Sequence, residues 1–232
     1  MSVSGVAAAE TGLEDGDDPT FVGNSIYWRS TEPVTPGPPL DGSADADVCI
    51  IGGGYTGMWA AHFLRRAEPS LSIHIVESDY AGAGASGHND GFVTPTIGHS
   101  LHTVVKAFPA EQVKAAYAAV GRSILELRRF CGTHDIDAEY DLGGFYQVAT
   151  NEGQRRRLER DAELAHALGA NAEILPAADI RAHIDVPGLT AAIKTAGALV
   201  NPHRLARGLL RVVRAQGVEV FKARVADVQE NA

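Results

Sequence analysis

The chain has 232 residues, 45% of them hydrophobic, and a formal net charge of −9. That length holds one large domain or two small ones with a proper core, and the apolar share is ordinary for a folded globular protein. The acidic balance argues against a general nucleic-acid surface, which needs a basic stripe.

Residues 1–18 are small, acidic and glycine-containing, and read as disordered. They lack the basic and apolar regions of a signal peptide. Tyr27 and Trp28 put two aromatics on an otherwise loose segment, and the proline-rich 33–39 stretch follows as a stiff connector.

Regular structure is expected from Asp47, where the most informative pattern begins. Asp47-Val48-Cys49-Ile50-Ile51 reads as a short apolar strand, Gly52-Gly53-Gly54-Tyr55-Thr56-Gly57 as a glycine turn, and Met58 onward as an amphipathic helix. Ile73-His74-Ile75-Val76-Glu77 then reads as a second strand ending in a carboxylate. That is the order of a dinucleotide-binding βαβ unit. Gly52 permits the tight turn, Gly54 lets the backbone approach a pyrophosphate, and Gly57 lets the helix pack close to the sheet. The helix N-terminus offers unpaired N–H groups and the positive end of its dipole to phosphates. Glu77 is placed to accept hydrogen bonds from ribose hydroxyls. A purely structural βα turn is the competing reading, and the flanking strand, helix and acid favour the nucleotide.

A second glycine-rich segment, residues 81–91, follows; it either hugs a ligand or forms a flexible loop. Apolar residues from Val113 to Leu127 recur at helical spacing and predict a helix over 110–130. Residues 137–140 and 145–149 are expected as short strands joined by a turn at Gly143-Gly144. Asn151 is a candidate N-cap for a helix running to Leu168, stopped by Gly169. The Arg155-Arg156-Arg157 run in it sits among Glu152, Glu159 and Asp161 and reads as a solvated face. A strand at 172–175 and a short helix at 176–183 are expected next. Asn201-Pro202 opens a last helix ended by Gly217, followed by strands at 218–221 and 224–228.

Cys49 and Cys131 form no CxxC, and Cys49 is expected as a small buried apolar residue of the first strand. A reducing cytoplasm is the default location. His99 and His102 have spacing that could suit a metal, but with no third ligand in view they read as exposed, and no metal site is expected. No apolar run approaches a membrane span.

These features resemble a known family, the D-amino-acid-oxidase-like FAD-dependent oxidoreductases, and within it the branch of glycine oxidase, sarcosine oxidase and γ-glutamylputrescine oxidase. The residues carrying the resemblance are 47–57, Glu77 and Gly84-Ala85-Ser86-Gly87-His88-Asn89-Asp90-Gly91. Weaker support comes from Gly143-Gly144-Phe145 and from Ala198-Leu199-Val200-Asn201-Pro202-His203-Arg204-Leu205. The implied fold is α/β: a Rossmann-like βαβ FAD-binding domain with an inserted α+β substrate-type domain. The implied layout is an N-terminal segment 1–46, FAD-binding parts at 47–107 and 198–232, and a partial substrate domain at 108–197. Gly52, Gly54, Tyr55, Thr56 and Gly57 would cradle the FAD pyrophosphate, and Glu77 would hold the adenosine ribose. Ser86, Gly87, His88 and Asn89 would line the route toward the flavin, and Val225 would meet the adenine through its backbone. In some amine-oxidising relatives a histidine in this segment bears the flavin covalently, whereas His88 by itself reads as a polar loop group. The implied reaction is hydride transfer from the carbon beside a substrate amine to flavin, followed by imine hydrolysis and reoxidation by oxygen or a carrier. Family members are substantially longer, so the chain reads as an N-terminal portion.

Two other functions fit parts of the pattern. A NAD-dependent dehydrogenase would use the same βαβ unit but gives no role to the second glycine segment. A non-catalytic nucleotide-binding subunit would explain why no acid–base pair, and so no catalytic residue, can be named.

Overall fold

In the computed structural model, residues 35–98, 100–184 and 186–229 are described. The expectations for residues 1–34, including the Tyr27-Trp28 pair, and for His99 lie outside them. The described residues divide into two compact units: one falls within 35–91, 131–139 and 201–229, the other within 92–130 and 140–200.

The first unit is built on a parallel sheet. Strands β1 (Val48–Ile51), β2 (Ile73–Glu77) and β8 (Glu219–Lys222) lie in the order β1-β2-β8. Ile50 pairs with Ile75, and Ile75 with Val220. Helix α1 (Tyr55–Ala67) joins the first two strands, which makes the expected βαβ unit. It buries Gly57, Met58, Ala61 and His62. Helix α7 (Pro202–Ala215) supplies much of the remaining core, with Leu205, Leu209, Leu210, Val212 and Val213 all buried. Burial of each such side chain stabilises by about 1.5–3 kcal/mol. The cap residues of α7 act as its sequence predicts: Asn201 Oδ1 accepts from Arg204 N–H, Pro202 occupies the first turn, and Gly217 turns the chain with φ 81°.

Several readings of this unit are corrected. Residues 224–228 form no strand; Ala223 N–H still donates to Glu77 O, but the chain then leaves the β2 edge and finds no further ladder. Residues 137–140 are not a strand either. Glu139 takes φ 52°, and the Asp137 and Glu139 carboxylates turn to Arg204, at 2.7 and 3.3 Å. Cys49 is half-buried rather than buried, because β1 is an edge strand of the described sheet. The described end of the proline stretch is tied down: Lys222 N–H donates to Pro38 O at 2.8 Å, so this segment covers the free edge of β8.

The second unit holds an antiparallel sheet of β4 (Phe145–Ala149), β6 (Ala191–Thr195) and β5 (Ala172–Pro176), in the order β4-β6-β5. Helix α5 (Glu152–Ala167), capped by Asn151 as expected, packs Ala162 against Ala172 and Ile193 on one face. The other face holds Ala192, with Ile180 of the short helix α6 (Ala177–Ile180) and Leu189. Helix α3 (Leu101–Ala107), capped by Ser100, packs Leu101 and Val104 against Val113 of α4 (Ala110–Thr133) and Leu168. A two-stranded ribbon, β3 (Phe92–Val93) with β7 (Ala198–Leu199), completes the unit.

Gly208 of α7 faces Ile136, and a Cβ there would lie 2.8 Å from Ile136 Cγ1 and 2.9 Å from Cδ1. Alanine is the better helix former by about 1 kcal/mol, yet overpacking of this kind costs roughly 1–3 kcal/mol. Gly208→Ala is therefore expected to lower the urea midpoint, and adding Ile136→Val to restore part of it. A midpoint that rises in Gly208→Ala would show that the contact yields.

Candidate cofactor site

The glycine turn after β1 is held from three directions. Gly53 N–H donates to Glu77 Oε2 at 2.7 Å, and Tyr55 N–H to Ser86 Oγ at 2.9 Å. Gly53 O accepts from Gly82 N–H at 3.0 Å. Residues read separately from the sequence, 52–57, Glu77 and Ser86, are thus one bonded cluster. Gly54 needs its lack of Cβ for a further reason: a Cβ there would sit 3.0 Å from Ser86 Oγ.

The second glycine segment repeats the geometry of the first. Gly52 and Gly82 both have positive φ, at 97° and 88°. Gly54 and Gly84 both precede a helix in extended conformation, α1 in one case and the single turn α2 (Ala85–His88) in the other. A Cβ on Gly57 would overlap the Gly52 carbonyl oxygen, and a Cβ on Gly87 the Gly82 carbonyl oxygen. Both segments therefore have the form Gly-x-Gly-x-x-Gly, and Gly82 is a candidate site residue that the sequence reading left unassigned. The identical glycine spacing was the available signal.

His88 and Asn89 have local partners. His88 Nδ1 lies 3.0 Å from Gly84 O. Asn89 closes α2, its Nδ2 donating to Ala85 O and Ser86 O at 3.1 and 3.0 Å, and its Oδ1 accepting from Gly91 N–H at 2.8 Å. Val225 is half-buried, two residues beyond the Ala223 bond to Glu77 O.

Two contacts that sequence reasoning did not find link this cluster to α7. Tyr55 Oη donates to Pro202 O at 2.6 Å, and burial pushes its phenol well above the usual range. His203 is 1% exposed, and neither ring nitrogen has a hydrogen-bond partner among the described residues. A Cβ on Gly87 would lie 3.3 Å from His203 Nδ1, so the imidazole packs directly under the second glycine turn. Burial holds His203 below its ordinary pKa, with smaller contributions from Arg207 and His88.

The residues present fit a dinucleotide. The first turn of α1 carries no acid, and a Cβ on Gly52 or Gly84 would meet nothing within 4 Å, so both turns open onto free space. A 13-residue helix presents its positive end there. No group of three or more His, Cys, Asp or Glu that could hold a metal occurs among the described residues. No helix among them is long and apolar enough to cross a membrane.

Comparison with known proteins agrees with this geometry. Residues 47–232 match the family model DAO, FAD dependent oxidoreductase. The chain belongs to this family. FAD is accordingly its cofactor, and a NAD-dependent dehydrogenase is set aside. γ-Glutamylputrescine oxidoreductase of Escherichia coli (strain K12) is 28% identical over 201 residues, covering 86% of this chain and 46% of that protein. L-2-hydroxyglutarate dehydrogenase of Salmonella houtenae is 30% identical over 189 residues, covering 80% of this chain and 42% of that protein. Glycine oxidase of Bacillus cereus ATCC 14579 shares the fold with a TM-score of 0.60 at 20% identity, over 81% of this chain and 49% of that one. The chain thus spans about half the length of the relatives it matches. In this DAO-family chain the N-terminal βαβ unit and its second glycine turn are both present.

His203 gives the site a pH signature. Its folded pKa lies below the unfolded value of about 6.5, so between the two values the unfolded chain binds more protons. The stability from neutral His203 is complete above that pH and is lost as pH falls toward the folded value. His203→Gln is expected to flatten the fall of Tm with acidification below about pH 6.5. An unchanged slope would assign the effect to other groups, His62 first among them.

Proposed function

We propose that this chain forms the nucleotide-binding part of an oxidoreductase that oxidises an amine or amino acid by hydride transfer to flavin. The observation that carries the reading is the pair of interlocked Gly-x-Gly-x-x-Gly turns opening beside the Glu77 carboxylate. The flavin supplies the hydride-accepting chemistry when bound. The chain's own residues bind and orient. Gly52, Gly54, Tyr55, Thr56 and Gly57 form the turn that sets the α1 N-terminus against the pyrophosphate, while Gly82 and Gly84 bring a second backbone wall beside it. Glu77 accepts from the ribose hydroxyls, and Val225 offers its backbone to the adenine. Ser86, Gly87, His88 and Asn89 lead toward the ring system. No catalytic acid or base is assigned, in keeping with a protein whose part is orientation and exclusion of water.

The amine class is supported by relatives named for a glutamylated polyamine and for glycine. The relative named for L-2-hydroxyglutarate favours a second reading, oxidation of a 2-hydroxy acid by the same cofactor. Following the two units, 47–91, 131–139 and 201–229 are assigned to the cofactor and 92–130 and 140–200 to substrate.

Purified chain mixed with FAD is expected to retain visible flavin absorbance through gel filtration and to release all of it on denaturation. Gly57→Ala and Gly87→Ala should each raise the FAD dissociation constant about tenfold or more, since a backbone overlap costs at least ~1.4 kcal/mol. Bleaching of the bound flavin by amines and amino acids, with no response to L-2-hydroxyglutarate, would support the amine reading. The reverse pattern would replace it, and tight NADH binding without flavin retention would sink both.

A further inference from the structure

The unit of residues 92–130 and 140–200 contains a cleft of about 660 Å³ that shares no residue with the cofactor cradle. That volume suits a small organic molecule. Its walls come from α4, α5 and the β4-β6-β5 sheet, with Leu101, Ala165, Leu168 and Ile193 supplying apolar surface. Asp161 of α5 is the one charged side chain among the described residues that line it. The remaining polar groups are neutral, notably Tyr117, Gln147 and Asn171.

Asp161 makes no ion pair with any described residue. The paired arginine of its helix, Arg155, is engaged by Glu152 and Glu159 instead. Lys114 reaches the rim beside Gly169, but it stays exposed. Tyr117 faces the same space from α4: its phenol is pushed up by burial and further by the Asp161 charge, so it stays a neutral donor and an aromatic face near the carboxylate. A half-buried carboxylate with an aromatic neighbour, no ion-paired cation among the described residues and an apolar floor is complementary to an ammonium group on a hydrophobic body.

We infer that this unit carries its own binding site for a small organic cation with an apolar body, its charge seated against Asp161 beside Tyr117. The site needs no flavin, and its seating of an amine in the region assigned above to substrate rests on the cleft alone.

The test is calorimetric titration of flavin-free chain with three ligands of matched shape: phenethylammonium, 2-phenylethanol and 3-phenylpropanoate. The cation is expected to bind at least about tenfold more tightly than the alcohol, and the carboxylate most weakly. Asp161→Asn should bring the cation down to the alcohol's level. If Asp161→Asn alters the circular dichroism, Gly121→Leu decides instead. Gly121 lines the cleft, a Cβ there meets nothing within 4 Å, and the larger side chain should remove cation binding from a folded helix. Equal affinities for the three ligands, no cation binding, or a cation preference that survives the deciding variant would overturn the proposal. Since FAD retention is measured separately, failure here leaves the cofactor reading standing, and the reverse.

Discussion

The hydrogen bond from Gly82 N–H to Gly53 O joins two glycine turns that are thirty residues apart, and the cofactor cradle depends on that joint. A turn of three consecutive glycines has high conformational entropy when free, so its shape has to be imposed from outside. Here the constraints are reciprocal. The first turn gives its Gly53 and Tyr55 N–H groups to Glu77 and Ser86 and receives Gly82 N–H on its carbonyl. Each of these polar groups would otherwise need a solvent or ligand partner. The backbone is therefore ordered by the chain itself, which under the proposed reading lowers the ordering cost of binding a nucleotide.

The same logic explains why α7 belongs to the site although it lies far along the chain. Its first turn is fixed by Tyr55 Oη on Pro202 O and by Asn201, which is 2% exposed and fully engaged. Asn201 N–H donates to Ala138 O at 2.7 Å, its Oδ1 caps the helix, and its Nδ2 donates to Glu139 Oε2 at 3.0 Å. Arg204 adds the contacts to Asp137 and Glu139. Residues 131–139 and the start of α7 are thereby pinned side by side within one unit. A long excursion between 140 and 200 can then be accommodated, because loop-closure entropy grows only slowly with length once the ends are tied.

Where the sequence was legible, a local rule and the tertiary fold agreed. The strand–turn–helix–strand order at 48–77, the Asn151 and Asn201 caps, and the stops at Gly169 and Gly217 rest on short-range chemistry and stand in the structure. Residues 137–140 and 224–228 have strand-like composition, but a strand requires a neighbour's ladder. At 137–140 the carboxylates found Arg204 instead, and past Ala223 the chain has no ladder partner among the described residues. Strand β6, central to its sheet, was missed because Ala191-Ala192-Ile193-Lys194-Thr195 is short and shows no clean alternation. The geometry of the candidate site was half legible. Gly57 announces itself by spacing, whereas the Tyr55–Pro202 bond and buried His203 depend on long-range packing that no local pattern encodes.

Glu77 shows how a carboxylate with a structural role keeps room for the recognition role proposed for it. Its Oε2 accepts from Gly53 N–H, and its Oε1 from Asp79 N–H at 3.0 Å and Ser78 Oγ at 3.2 Å. An ionised carboxylate offers about four lone-pair directions, so three are committed to the turns on either side of it. A ribose hydroxyl offered to Glu77 would meet a group already oriented by three donors, with acceptor capacity left. Recognition there would not require the Gly53 bond to break. The nucleotide would add to an existing network rather than compete with it, and occupancy of the site would reinforce the joint between the two glycine turns.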